Sequence, residues 1–340
     1  MAERLERALR RRPGKRGKIA LWVALGLVVL WLLFNLKTIG WMFSEMGGYL
    51  SYKFIQRALM VGTLVSLCAA LLGVSLVLKR YSMIGDGLSH VGFGALTVAM
   101  ALGFVTDESL PAFLPLGLRK ALAGLCKAIA AGPLPFTLVV VVVLCAFLLL
   151  RLSDRSAMRG DSAIALISTS ALALGVVVTS TTSGMNVDVY NYMFGSILAM
   201  SASDVWLSVA LSAVVLVLFI LFYPRIFAVT FDENFARATG MKAGLYNMLI
   251  ALLTAVTVVI GMRMMGTLLI SSLIIFPALS SMRVFSHFRA VTISAAAVSV
   301  GCFLVGMMLS CVFSIPTGAG IVGVNLLVFL VFSAIGAARA

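Results

Sequence analysis

The sequence predicts an all-α membrane protein that crosses the bilayer about ten times, at roughly 20 residues per crossing. Of its 340 residues, 62% are hydrophobic and only 11% are charged, a composition outside the range of soluble domains. Long apolar runs dominate, and alternating segments of strand length are absent. Because hydrocarbon offers the backbone no hydrogen-bond partners, such runs are expected to form helices.

The apolar runs divide into one N-terminal span and a core of nine. The spans are expected at residues 19–36, 54–78, 83–103, 134–150, 162–180, 205–223, 245–262, 265–282, 291–312 and 321–337. Segment 1–18 is a basic tail. The span at 19–36 could be a cleaved signal peptide, but it is long enough to cross the bilayer and no cleavage site clearly follows. We expect a retained anchor followed by a core domain over 54–337.

The net charge of +14 predicts an orientation. In a membrane protein, Lys and Arg mark cytoplasmic loops, so the charge does not indicate a nucleic-acid partner. With the N-terminus in the cytoplasm, most of the 26 Lys and Arg residues fall on the cytoplasmic side. The prediction is a multi-pass protein in a lipid bilayer with both termini cytoplasmic.

Two ionisable side chains lie inside the predicted span 83–103. Asp86 and His90 are four residues apart, so a helix places them on one face. Ionisable groups in hydrocarbon are costly and need a partner, a cavity or a function. Adjacent oxygen and nitrogen donors suit a divalent metal ion, and the alternative is a hydrogen bond that stabilises the helix. Ser89 could add an oxygen, but a hydroxyl bonded back into its own helix is more common.

A short charged segment follows the span at 205–223, on the expected cytoplasmic side. We call residues 231–240 the coupling segment; its sequence is Phe231-Asp232-Glu233-Asn234-Phe235-Ala236-Arg237-Ala238-Thr239-Gly240. Acidic residues come first, a basic residue follows and a glycine ends it, which favours a short helix. Phe231, Phe235, Ala236 and Thr239 recur at helical spacing and could form one apolar edge. Such a helix could bind a soluble subunit, and the alternative is a solvated turn.

Several enzyme classes lack their motifs here. No Gly-x-x-x-x-Gly-Lys-Ser/Thr phosphate loop and no His-Glu-x-x-His stretch occurs in the chain. The five cysteines show no paired spacing, so they predict neither a disulfide framework nor a zinc knuckle. The second histidine, His287, stands between Arg283 and Arg289 at a predicted cytoplasmic span end, and we interpret it as interfacial.

Several passages together resemble the permease subunits of ABC transporters that import zinc and manganese. The resemblance runs from about residue 54 to residue 337, and the order and spacing of the passages carry it. The first is a basic pair followed by Gly-Asp-x-x-Ser-His, which includes Gly85 and Ser89, and the coupling segment resembles the counterpart of the EAA loop of other ABC permeases. In order, the passages are Leu78–His90, Tyr192–Leu198 with Gly195, Phe231–Gly240, Gly266–Leu269 with Ile275–Ala278 around Pro277, and Pro316–Gly318.

The resemblance implies a transport subunit rather than an enzyme, in a bacterial-type inner membrane. Asp86 and His90 would form the transit site of the metal, which is cargo and not a permanently bound cofactor. A second copy of the chain, cytoplasmic ABC ATPase subunits and an extracytoplasmic metal-binding protein would be its partners. The residues that would contact the ATPase are Phe231, Asp232, Glu233, Phe235, Ala236, Arg237 and Gly240.

The identity of the cargo and some rival functions stay open. Zinc is preferred to manganese because imidazole is the better ligand for zinc. An ion-coupled secondary transporter would need further intramembrane carboxylates besides Asp86. A membrane metallohydrolase would need more ligands and an acid or base. An ABC permease for siderophores or cobalamin fits the Asp86–His90 signature less well.

Gly94 stands where the family commonly has proline, so the resemblance does not extend to a proline kink at this position.

Overall fold

The computed structural model describes residues 48, 51–81, 83–103, 120, 124, 160–181 and 202–339. All elements within these residues are helices, which confirms the predicted all-α class. The basic tail 1–18, the predicted spans 19–36 and 134–150 and Gly195 lie outside the described residues. We number the described helices α1 (Lys53–Leu78), α2 (Ile84–Gly103), α3 (Gly160–Thr181), α4 (Ala202–Leu221), α5 (Tyr223–Phe231), α6 (Glu233–Ala238), α7 (Ala243–Met265), α8 (Thr267–Val284), α9 (Phe288–Phe313) and α10 (Thr317–Arg339).

Seven of the described helices, α1, α3, α4 and α7 to α10, are long and apolar enough to cross a membrane. Their positions agree with the predicted spans to within a few residues, and the protein is a polytopic membrane protein. Helix α2 covers the predicted span 83–103 and is also 20 residues long. Unlike the seven, it carries both Asp86 and His90 within the predicted span.

Two breaks between helices differ from the predicted boundaries. The apolar run at 205–223 ends one helix at Leu221 and begins another at Tyr223, with Pro224 in the first turn of α5. Proline suits a first helical turn because the amide it lacks has no partner there. Helix α5 is therefore a separate element that the hydrophobic pattern did not predict. Gly266, at φ +87°, separates α7 from α8, and this left-handed backbone favours glycine.

The chain forms two compact units. The first contains α1, α4, α9, α10 and α8 from Ser272 onward. In this unit α1 packs against α4 and α9, and α9 packs against α10. Gly73 lets α1 lie close to α8, because a side chain at this position would meet the backbone of Ile274. Ser299 Oγ donates to the backbone oxygen of Ser66 at 2.9 Å, which joins α9 to α1. Helix α8 continues through Pro277.

The second unit contains α2, α3, α5, α6, α7 and the start of α8 through Ser271. Helix α2 packs along α3 and also contacts α7. At Gly94 the two backbones come so close that a Cβ would stand 2.6 Å from the carbonyl oxygen of Ala171. Helix α2 is continuous through Gly94 from Ile84 to Gly103. The glycine thus serves the packing of α2 on α3.

Substituting Gly94 with alanine is expected to destabilise the second unit. The added methyl group would push α2 away from Ala171, and overpacking of this kind costs about 1–3 kcal/mol. Gly301→Ala is the matched control, since Gly301 also lies inside a helix and its Cβ would meet nothing within 4 Å. Thermal unfolding of the detergent-purified protein measures the effect. The Gly94→Ala protein should melt at a lower temperature than the Gly301→Ala protein, and equal melting temperatures would contradict the close packing.

Candidate functional site

Helix α2 begins with a turn that places Asp86 near its N-terminal end. The carbonyl oxygen of Tyr81 accepts from the amide of Ile84 at 3.0 Å, and that of Met83 accepts from the amide of Gly87 at 2.9 Å. Asp86 lies in the first turn, where the positive end of the helix dipole favours a carboxylate. Gly85 is buried at the same turn.

Asp86 and His90 lie on the same face of α2, as their spacing predicts. His90 Nε2 is 3.5 Å from Asp86 Oδ2, and the side chains are 22% and 44% exposed, respectively. A separation of 3.5 Å is longer than an ordinary hydrogen bond but within the range of an ion pair. Both side chains are partly exposed in the isolated chain.

Ser89 lies on the buried side of α2 and is fully enclosed. Its Oγ donates to the backbone oxygen of Asp86 at 2.7 Å. The predicted bond back into its own helix is therefore confirmed. This bond occupies the hydroxyl proton of Ser89.

A second serine, Ser271 in α8, contacts the carboxylate and was not predicted. Its Oγ lies 3.4 Å from Asp86 Oδ1 and 3.0 Å from the backbone oxygen of Thr267. The sequence resemblance includes the neighbouring residues Gly266–Leu269, but no motif singles out Ser271. Only its hydroxyl hints at a role, but its neighbour Ser272 has one too, and many serines in spans bond only to their own helix.

The described part of the chain contains no cluster of three or more His, Cys, Asp or Glu side chains that could hold a metal ion. Within these residues, Asp86 and His90 are a pair of candidate donors rather than a full ligand set. His287 is exposed and is the N-cap of α9.

The coupling segment contains the predicted short helix, α6. Asp232 is its N-cap, and its Oδ1 accepts from the amide of Phe235 at 2.9 Å. Arg237 Nη2 pairs with Glu233 Oε1 at 2.5 Å, one turn apart. A six-residue helix is marginal alone, so the cap and the ion pair help to define it.

Helix α6 ends at the predicted glycine. Gly240 has φ +83°, its amide donates to the oxygen of Arg237, and the amide of Met241 donates to the oxygen of Ala236, both at 3.0 Å. These two bonds form a Schellman motif, which satisfies carbonyl groups at the end of a helix. Gly240 is therefore the C-terminal stop that the sequence predicts.

The apolar edge predicted for the coupling segment is wrong in one respect, because its members face different ways. Ala236 is fully buried in a cluster with Val229, Ala243 and Tyr246, which fixes α6 between α5 and the start of α7. Phe231 and Phe235 are 57% and 65% exposed. Helical spacing alone did not reveal which side packs inward, because α5 was not predicted. Ala236 supports the segment from inside, and the two phenylalanines form its outer surface.

Arg225 adds a polar link between α5 and α7. Its Nη1 donates to the Tyr246 hydroxyl at 2.6 Å, and its guanidinium lies over the rings of Phe222 and Tyr246 at 5.8 and 5.6 Å. Helices α5, α6 and the start of α7 thus pack together as one body within the second unit.

The chain is similar to known membrane transport proteins over most of its length. The family model described as the ABC 3 transport family matches residues 51–336. The manganese transport system membrane protein MntC of Halalkalibacterium halodurans is 27% identical over 273 residues, which cover 80% of this chain and 84% of that protein. The manganese import system permease protein ScaB of Streptococcus gordonii is 26% identical over 284 residues, which cover 84% of this chain and 92% of that protein.

A solved structure shares the fold. The structure described as PsaBC from Streptococcus pneumoniae in complex with Fab superposes with a TM-score of 0.68 and 23% sequence identity, over 86% of this chain and 95% of the other. The helical architecture, the polytopic membrane character and the family match agree. The chain belongs to the ABC 3 transport family, as an integral membrane permease.

Proposed function

We propose that this chain is the permease subunit of an ATP-driven importer of divalent metal ions. Two copies would form the pathway, cytoplasmic ATPase subunits would supply the energy, and an extracytoplasmic protein would deliver the metal. The observation that carries the proposal is the partly exposed Asp86–His90 pair on a membrane helix of an ABC permease. Ionisable groups at such a position are costly unless they serve a function.

The geometry of the pair suits transit of an ion rather than permanent binding. A transported ion must exchange water for protein ligands and must also leave. Two donors per chain are too few for a closed structural site, which usually has four. Two copies of the pair across a dimer axis would supply two carboxylates and two imidazoles. Divalent ions such as zinc and manganese accept these donors, manganese with added water.

Manganese is the favoured cargo, since two of the curated relatives are named for manganese transport. The preference for zinc that imidazole suggests has no support in these names. Zinc remains the second candidate for one structural reason: the 3.5 Å between His90 Nε2 and Asp86 Oδ2 is close to the ligand separation in a tetrahedral site, about 3.4 Å for bonds of about 2.1 Å.

The coupling segment would bind the ATPase through its exposed aromatic side chains. Phe231 and Phe235 are mostly exposed, although large apolar side chains outside the bilayer are normally buried. Aromatic anchors of this kind commonly dominate the affinity of protein interfaces. The packing of Ala236 against Val229, Ala243 and Tyr246 would transmit force from this surface to α7.

Loss of either donor of the Asp86–His90 pair should abolish metal uptake. We expect Asp86→Asn and His90→Ala to reduce uptake to background, because each removes one of the two strong donors. The complete transporter would be expressed with its ATPase and binding protein in metal-starved cells, and cellular manganese and zinc would be measured by elemental analysis. The metal that accumulates with the native chain identifies the cargo.

His287→Ala is the matched control, since His287 is exposed and is the only other histidine in the chain. It should leave uptake near the native level. Copurification of the ATPase shows that each variant assembles. Full uptake by an assembled His90→Ala transporter would refute the transit site, and no accumulation of either metal by the assembled native transporter would refute the proposed function.

Phe235→Ala should weaken binding of the ATPase subunit. An interface anchor typically contributes about 2 kcal/mol or more, so the affinity should fall about 30-fold. The affinity would be measured with purified permease in nanodiscs and its separately purified ATPase. Phe313→Ala is the control, because Phe313 is also about half exposed but lies at the end of α9. If both variants bind the ATPase as tightly as the native permease, Phe235 does not contact it.

A further inference from the structure

We propose that Ser271 is a third protein ligand of the transit site, with its hydroxyl oxygen completing a set that Asp86 and His90 begin. This inference rests on the proposed function and deepens it. It assigns a role to a residue of α8, whereas the sequence pattern points only to residues of α2.

The first argument is the distance between donor atoms. Ser271 Oγ lies 3.4 Å from Asp86 Oδ1, and His90 Nε2 lies 3.5 Å from Asp86 Oδ2. Hydrogen bonds from hydroxyl groups to oxygen are normally 2.5–3.0 Å long. Two ligands of one metal ion, at bonds of about 2.1 Å, stand roughly 3.0 Å apart in an octahedral site and roughly 3.4 Å apart in a tetrahedral site. Both contacts are longer than such hydrogen bonds and lie within about 0.5 Å of these ligand separations, and they flank the two oxygens of one carboxylate, so an Asp86 that bound an ion through both oxygens would have Ser271 and His90 beside that ion.

The second argument is the position of the hydroxyl proton. Ser271 Oγ can donate to Asp86 Oδ1 at 3.4 Å, but the backbone oxygen of Thr267, one helical turn earlier, is a nearer acceptor at 3.0 Å. A serine hydroxyl has one proton and two lone pairs. When the proton points to Thr267, the lone pairs are left for the space beside Asp86. Two oxygen atoms facing each other in this way repel, and a cation between them removes the repulsion.

The third argument is a contrast with Ser89, which is closer in sequence but differently placed. Ser89 is fully buried, and its Oγ contacts the backbone oxygen of Asp86 rather than the carboxylate. Ser271 is only partly buried and reaches the carboxylate itself. A neutral hydroxyl is also a weak ligand, which suits an ion that must be released.

Substitutions at Ser271 test the proposal in the assembled transporter. Ser271→Ala removes the oxygen and should raise the apparent KM for manganese uptake by about tenfold or more, the scale seen when groups around a metal are lost. Ser271→Cys replaces oxygen with sulfur at nearly constant size. Because thiol ligands prefer soft ions, cadmium should inhibit manganese uptake at about tenfold lower concentration in this variant. A residue with only a packing role would not cause such a change in metal preference.

Ser272→Ala and Ser272→Cys are matched controls, since Ser272 is the next residue and points about 100° around the helix. They should resemble the native transporter in both measurements. If the native transporter takes up metal and the Ser271 variants behave like the Ser272 variants, Ser271 is not a ligand and the proposed function stands. If the assembled native transporter moves neither manganese nor zinc, both proposals fall.

Discussion

The absence of hydrogen-bond partners in hydrocarbon is the constraint on which the rest of this structure depends. It requires backbone amides and carbonyls to hydrogen-bond to one another, and the described spans are accordingly helices. Side-chain hydroxyls obey the same rule, since Ser89, Thr254 and Thr257 each donate to an oxygen in the preceding turn of their own helix. Against this background Asp86 and His90 stand out, because their polar atoms contact each other only at 3.5 Å.

Close helix packing positions the helix that carries these two groups. Helix α2 approaches α3 at Gly94 and also contacts α7, so its position is set by two neighbours in the same unit. Helix α7 begins in the cluster that contains Ala236 and Tyr246. The outer surface of the coupling segment and the proposed transit site are therefore joined through α7 by continuous packing. This contiguity is spatial, and only a change at one end that alters the other would demonstrate energetic coupling.

Local features of the site could be predicted from the sequence, whereas features that depend on packing could not. The spacing of Asp86 and His90 fixes their common face once a helix is assumed, and Gly240 follows from the chemistry of helix ends. Helix α5 was missed because the apolar run at 205–223 continues past the break at Phe222. The buried position of Ala236 depends on α5 and α7, and the contact of Ser271 with Asp86 joins residues 185 positions apart. No local pattern contains such information.

The two long contacts of Asp86 also bear on the proposed transit of an ion. A carboxylate held tightly by two short hydrogen bonds would have to break them before it could bind an ion, and a closed set of four strong ligands would retain the ion. Here the neutral hydroxyl oxygen of Ser271 lies 3.4 Å from one carboxylate oxygen, and His90 Nε2 lies 3.5 Å from the other. On entry the ion would replace these two long contacts of Asp86. On exit it would leave a small set of ligands, one of which is a neutral hydroxyl. A low barrier in both directions is what passage through a membrane requires.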